Sequence, residues 1–292
     1  MTPLTLAVPD LVSNSYFPAV AAVELGIFRR HGLDVACRHI FPVSRCLELL
    51  QEGAVDMVAG AAHAVPQVFP AWNGVTLAAA LSRRMYWLLV VRADLGAQRG
   101  DLGILKGLRI GAAPIVDQGL RELLAAAGLD PVANRIDIAP VPGAAGPGVS
   151  FGVQAARALE EGLIDGFWAN GLGAEYAVRR GSGVVLLDVR RGDGPDAVRD
   201  ITFPALVLGH GLVTRQPGAE SAALRAIEAT QRALKDDIRL ATQVGQALFP
   251  PYEAELIADV VARDLPWYDA RVSPAMLRSV DDFVGRLRSA RA

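Results

Sequence analysis

The strongest constraint on the fold is a pattern of helix stops and strand starts that occurs twice. Leu50-Gln51-Glu52-Gly53-Ala54-Val55-Asp56 has a counterpart in Leu159-Glu160-Glu161-Gly162-Leu163-Ile164-Asp165. In each, a helical run ends in Glu-Gly, a β-branched residue opens a strand, and Asp follows. Glycine just past the last turn accepts the left-handed backbone of a helix C-cap. Upstream, His31-Gly32-Leu33-Asp34 is matched in the same order by Ala127-Gly128-Leu129-Asp130. The spacing between stops is about thirteen residues longer in the second half, and the excess falls in the Gly/Pro-rich stretch 142–148. A half-domain written twice predicts two α/β lobes.

Hydrophobic periodicity fills in the elements. Strands are expected at 4–8, 33–40, 55–59 and 76–81, with helices at 16–30, from a Ser44 cap to 52, and at 67–72. The second half repeats the alternation, with strands at 108–112, 136–141 and 164–169 and helices at 117–127 and 153–161. Such alternation predicts two mixed, mostly parallel sheets with helices on both faces. Two extended apolar stretches, 86–92 and 203–214, read as crossings between lobes, and the helical tail 221–291 reads as packing back on the first. This gives one lobe of 1–89 and 209–292, a second of 90–208, and a hinge that closes a cleft on a ligand.

Composition narrows the function. Of the 292 residues, 52% are hydrophobic, enough for two cores. Lys+Arg 29 against Asp+Glu 31 leaves no basic excess, which argues against a nucleic-acid partner. No apolar run has the length of a membrane span, so the chain is not expected to be membrane-spanning. Because 4–8 already reads as a strand, no secretory leader is legible. The expected location is periplasmic or lipid-anchored if a leader has been removed, and cytoplasmic otherwise. Cys37 and Cys46 have no metal spacing and read as core thiols. No metal or cofactor is expected.

Four segments carry a resemblance to a known family. They are Glu24-Leu25-Gly26-Ile27-Phe28-Arg29-Arg30-His31-Gly32-Leu33-Asp34-Val35, Glu52-Gly53-Ala54-Val55-Asp56-Met57, Leu105-Lys106-Gly107-Leu108-Arg109-Ile110-Gly111 and the run 155–168. In this order, over residues 4–215, the chain resembles the substrate-binding proteins of nitrate, sulfonate, taurine and pyrimidine-precursor ABC importers. The resemblance implies a type II periplasmic-binding-protein fold, a small-molecule ligand, an ABC importer permease as partner and no chemistry of its own. Enzymes share this fold, so a cytoplasmic enzyme or ligand sensor (a decarboxylase or thiamin-precursor enzyme) is the alternative. The pyrimidine synthase of thiamin biosynthesis has a lysine after the third strand, where this chain runs Met57-Val58-Ala59-Gly60-Ala61-Ala62-His63. The aromatic sulfinate desulfinase has a nucleophilic cysteine after the first strand, where this chain has Ser13-Asn14-Ser15.

In a parallel sheet, ligands bind beyond the carboxyl ends of the strands. That rule selects Ser13, Asn14 and Tyr16, then Ser44 and Arg45, then His63, with Arg83 and Tyr86 near the crossing. In the second lobe it selects Pro114 and Asp117, Ser150 and Phe151, and Trp168 and Asn170. Helix N-termini suit an anion, Arg45 and Arg83 add charge, and Tyr16, Phe151 and Trp168 can wall a flat ligand. A sulfonate, carboxylate or pyrimidine-like solute is expected. Some of these choices have a blander reading: Tyr16 and Trp168 as core, His63 as a structural hydrogen bonder, Arg83 or Arg84 as a solvated charge. Gly148-Val149-Ser150-Phe151-Gly152 fits the nucleophile pattern G-x-S-x-G, but loop rather than strand precedes it, so no catalytic residue is expected.

Overall fold

The computed structural model describes residues 3–146 and 148–289; Pro147 of the expected 142–148 loop and 290–292 of the tail lie outside the described residues. The chain divides into two units, one of Met1–Arg83 with Ile201–Ala292 and one of Arg84–Asp200.

The first unit is built on β1 (Leu4–Val8), β2 (Val35–His39), β3 (Met57–Ala61) and β4 (Val75–Ala80). The second is built on β5 (Leu88–Arg92), β6 (Arg109–Ala112), β7 (Asp137–Ala139), β8 (Gly166–Ala169) and β9 (Gly183–Asp188). The chain then returns to the first unit as β10 (Pro204–Gly209). The sheet orders are β2-β1-β3-β10-β4 and β7-β6-β8-β5-β9. In the first, β1 runs parallel to β2 and β3, while β10 is antiparallel to both β3 and β4. In the second, β6 runs parallel to β7 and β8, while β5 is antiparallel to both β8 and β9. The two sheets therefore share one topology, and in each the fourth strand is the antiparallel one. Strands β3 and β10 are buried along their whole length, which is why they read as unbroken apolar runs.

Those fourth strands correct the expected crossings. The stretches 86–92 and 203–214 contain β5 and β10, which are sheet strands and not linkers. An apolar run of this length buries its side chains, and its N–H and C=O groups then need a ladder. The chain passes between units earlier, at Arg83/Arg84 and Asp200/Ile201, so the second unit spans 84–200 where 90–208 was expected. The tail helices Ala219–Asp236, Arg239–Leu248, Pro251–Asp264 and Pro274–Ser289 all belong to the first unit.

The expected helix 16–30 is two helices, Phe17–Glu24 and Ile27–Arg30, because Gly26 adopts φ 64° between them. Ser44 does not cap the next helix, which runs Val43–Gln51 with Pro42 at the cap position and Ser44 inside the first turn. The helix stops follow the sequence closely. Gly32, Gly53, Gly128 and Gly162 all have φ between 71° and 84°. At each, the following N–H bonds back to a carbonyl five residues earlier, as in Ala54 to Leu49 at 2.8 Å and Leu163 to Ala158 at 2.9 Å. These are Schellman caps, and they occupy equivalent places in both halves.

The Asp that follows each stop has one job in both units. Asp56 accepts the Thr5 N–H at 2.8 Å and donates its own N–H to the Thr5 carbonyl at 3.0 Å. Asp165 does the same with Arg109, at 3.0 Å and 2.8 Å. Each ties the start of the third strand of its half to the start of the first. The Glu-Gly-x-β-Asp motif therefore sits at the amino edge of the sheet, opposite the carboxyl edge at which open α/β sheets in general receive ligands.

Candidate functional site

At the carboxyl edge of the first sheet, β1 to β4 end and β10 begins. The loop after β1 is buried at Ser13, Asn14 and Ser15. Ser15 N–H donates to Ser13 Oγ at 3.1 Å, and Asn14 Nδ2 donates to Asp264 Oδ2 at 2.6 Å. A carboxylate from the tail thus fixes the Asn14 amide. Tyr16 is buried at the start of the helix Phe17–Glu24. Ser82, just past β4, is 2% exposed, and its hydroxyl has no hydrogen-bond partner among the described residues.

Three other choices at this edge make contacts within their own unit. His63 is fully buried, with its ring centroid 4.3 Å from Phe203 and 5.4 Å from Phe283 of the C-terminal helix. Arg83 donates to Asp269 Oδ2 at 3.3 Å and to the Arg271 carbonyl, so it latches a tail segment. Arg45 lies on an exposed helix face and pairs with Glu48 at 3.0 Å and Glu52 at 2.9 Å. The half-buried Ser44 precedes it.

At the carboxyl edge of the second sheet, β6 to β9 end and β5 begins. Tyr86 belongs to this unit, not the first. Its ring lies 4.9 Å from Trp87, which lies 5.9 Å from Trp168. Trp168 sits inside β8, fully buried, and its Nε1 has no hydrogen-bond partner among the described residues. Arg190, just past β9, is 4% exposed, with its guanidinium 5.9 Å over the Tyr86 ring. Pro114 is exposed, and Ile115 after it holds φ 72°, an uncommon backbone for a β-branched residue. Asp117 opens a helix and pairs with Arg121 at 2.9 Å.

Two further helices start at this edge, Phe151–Glu160 and Gly171–Arg179. Asn170 caps the second, its Oδ1 accepting from Leu172 N–H at 3.0 Å and Gly173 N–H at 3.2 Å. Ser150 holds the cap position of the first in extended conformation, without a side-chain cap bond. A Cβ on Gly173 would lie 2.5 Å from the Gly152 carbonyl oxygen, so only glycine lets the two helix starts approach this closely. Phe151 is buried in the first turn.

Several residues at these edges were not selected from sequence: Ser82, Trp87, Arg190 and Asp264. Arg190 carried no signal in a chain whose cations are nearly all arginine. The G-x-S-x-G reading fails on geometry, since β7 ends at Ala139 and a loop separates it from Ser150. Burial pushes the Cys37 and Cys46 thiols up to about 12, so neither supplies a thiolate nucleophile at neutral pH. Among the described residues no group of three or more His, Cys, Asp or Glu can hold a metal ion, and no helix is long and apolar enough to cross a membrane.

No family model and no curated protein matches the chain in sequence. Solved structures do match. The alkanesulfonate-binding protein SsuA of Xanthomonas axonopodis pv. citri superposes with TM-score 0.73 at 14% identity, over 100% of this chain and 94% of that one. A protein of Bordetella bronchiseptica RB50 matches with TM-score 0.77 at 17% identity, over 98% and 89%. The periplasmic nitrate-binding protein NrtA of Synechocystis PCC 6803 matches with TM-score 0.66 at 16% identity, over 89% and 69%. With its two five-stranded sheets, each carrying one antiparallel strand in fourth place, the chain has the two-lobed α/β fold of the type II periplasmic binding proteins.

Proposed function

We propose that the protein captures a small anionic organic solute, a sulfonate, carboxylate or pyrimidine-like acid, and delivers it to the permease of an ABC importer. The observation that carries this reading is the burial of polar groups at the carboxyl edge of each sheet. Ser13, Asn14 and Ser82 lie at one edge, and Asn170 and Arg190 at the other. An open α/β sheet receives ligands at this edge, and a few placed polar groups there orient a small solute. The likeness to alkanesulfonate- and nitrate-binding proteins supports the same role. Such a component works on the outer side of the cytoplasmic membrane, in the periplasm or held there by a lipid.

A thermal-shift screen over alkanesulfonates, nitrate, aromatic carboxylates and pyrimidines tests the proposal. A solute that binds only the native state stabilises it by mass action, by about 2.7 kcal/mol at a hundredfold excess over Kd. The expected result is a hit that raises Tm and is recovered chemically unchanged. Turnover of the hit would replace binding with catalysis.

A further inference from the structure

At the amino edge of the first sheet, Asp56 leads into β3 and Gly209 ends the antiparallel β10. This corner holds a cavity of about 320 Å³, within the range of small-molecule pockets. Leu50, Phe69 and Leu212 give it apolar walls, and Asp56, His210 and Arg215 give it polar ones. All of these residues belong to the first unit, on the edge away from the candidate site. We infer that the cavity is a separate small-molecule site, and that it takes a zwitterion with a compact apolar side chain, the chemistry of an α-amino acid.

The other half of the molecule shows what normally fills this corner. Gly209 N–H donates to the Asp56 carbonyl at 3.1 Å, and His210 N–H to the Gly74 carbonyl at 2.9 Å. In the second unit Arg92 N–H donates to the Asp165 carbonyl at 3.0 Å, and Ala93 N–H to the Ser182 carbonyl at 3.0 Å. Gly209 therefore matches Arg92, and Gly211 matches Asp94. The Arg92 guanidinium pairs with Asp165 at 3.4 Å and with Asp94 at 3.1 Å, so this half supplies its own cation and its own second carboxylate. The first unit has glycine at both places, and both glycines line the cavity. Neither backbone calls for glycine. Gly209 is extended, with φ −71° and ψ 141°, and Gly211 lies inside the helix His210–Arg215, where glycine is a weak choice. A Cβ on Gly209 would already stand 3.2 Å from Leu50 Cδ1, so a side chain here takes up the space.

The charges on the wall select the occupant. Asp56 Oδ1 accepts from Arg215 Nη2, which leaves one carboxylate and one guanidinium side by side. Arg215 Nη1 lies 3.3 Å from where a Cβ on Gly211 would stand, so a carboxylate in the place of Asp94 would meet it. A cation in the place of the Arg92 guanidinium would meet Asp56. A lone cation also faces Arg215, and a lone anion also faces Asp56. A zwitterion satisfies both, by the same charge-assisted bonds that the Arg92 and Asp94 pair makes in the other half. The apolar walls then receive its side chain.

The test titrates the full, isotope-labelled chain with L-leucine and L-phenylalanine. Isocaproate and isoamylamine serve as comparisons, because they keep the leucine side chain and lack the ammonium or the carboxylate. At least one amino acid should shift the Gly74, Gly209 and Gly211 amide resonances saturably, and both comparison compounds should bind about tenfold more weakly or worse. Gly211→Asp puts a carboxylate against Arg215, and an acid in the first turn suits a helix, so this variant should melt at or above the wild-type temperature. Its affinity for the amino acid, read at Gly74 and Gly209, should fall by about tenfold or more. Gly209→Arg combined with Gly211→Asp restores both residues of the other half and should abolish the shift at Gly74. Amides left unmoved by both amino acids would overturn the site. So would wild-type affinity in Gly211→Asp, or isocaproate or isoamylamine binding as tightly as leucine.

Discussion

At the scale of the residue, the repeated aspartate is the clearest case of sequence becoming structure. Asp165 accepts from Arg109 Nε at 2.8 Å and from the Arg109 N–H at 3.0 Å, with its side chain only 12% exposed. The Arg109 side-chain bonds hold its carboxyl down at about 2, against the opposing effect of burial. A depressed carboxylate contributes stability that is complete above its ordinary value and lost as the group protonates. The cost of Asp165→Asn should therefore be full above pH 3.8 and fade as pH falls toward about 2. Urea midpoints of wild type and variant across that range check this, and an equal cost at all pH values would contradict it. Replacement by Ala leaves the Arg109 N–H without its acceptor and should cost about 1–3 kcal/mol at neutral pH. The candidate-site side chains were less legible than this aspartate. Asn14, Arg83 and His63 stand where the sequence placed them, yet what they do depends on Asp264, Asp269 and Phe283. Those partners come from the far end of the chain, and no local pattern announces them.

At the scale of the element, glycine decides how two helices meet. Gly173→Ala would place a methyl 2.5 Å from the Gly152 carbonyl oxygen, a backbone atom that cannot swing aside. Overpacking of this kind costs about 1–3 kcal/mol, so chemical denaturation should show a lower midpoint with an unchanged slope. Gly285 gives the contrasting result. It lies exposed within the helix Pro274–Ser289 with nothing near its Cβ position, and Gly285→Ala should stabilise by about 0.5–1 kcal/mol. Element starts and stops were the most legible part of the sequence. Four Schellman caps fall on the four glycines that ended the expected helices, because a cap is a matter of a few consecutive residues. The glycine-on-glycine contact was illegible for the opposite reason: it joins two helices whose approach no spacing encodes.

At the scale of the whole molecule, each sheet is completed by a strand that lies next to a crossing. Residues 84–200 contain all five strands of their sheet, β5 to β9, in one continuous segment. Residues 1–83 lack β10, which stands between β3 and β4. Expressed alone, the 84–200 fragment should melt cooperatively, and 1–83 should not until 201–292 is added. Circular dichroism melts of the three samples decide the matter, and a cooperative transition in 1–83 alone would rule out the dependence on β10. By itself the sequence determined the duplicated half-domain, the alternation of strand and helix, and the glycine stops, because each is encoded within a few consecutive residues. Only the tertiary structure decided that 88–92 and 204–209 are strands rather than linkers. An apolar run states that it must be buried but not whose hydrogen bonds it completes. Val207 finds its partner in Val58, and Val90 in Phe167, once the rest of each sheet exists to receive them.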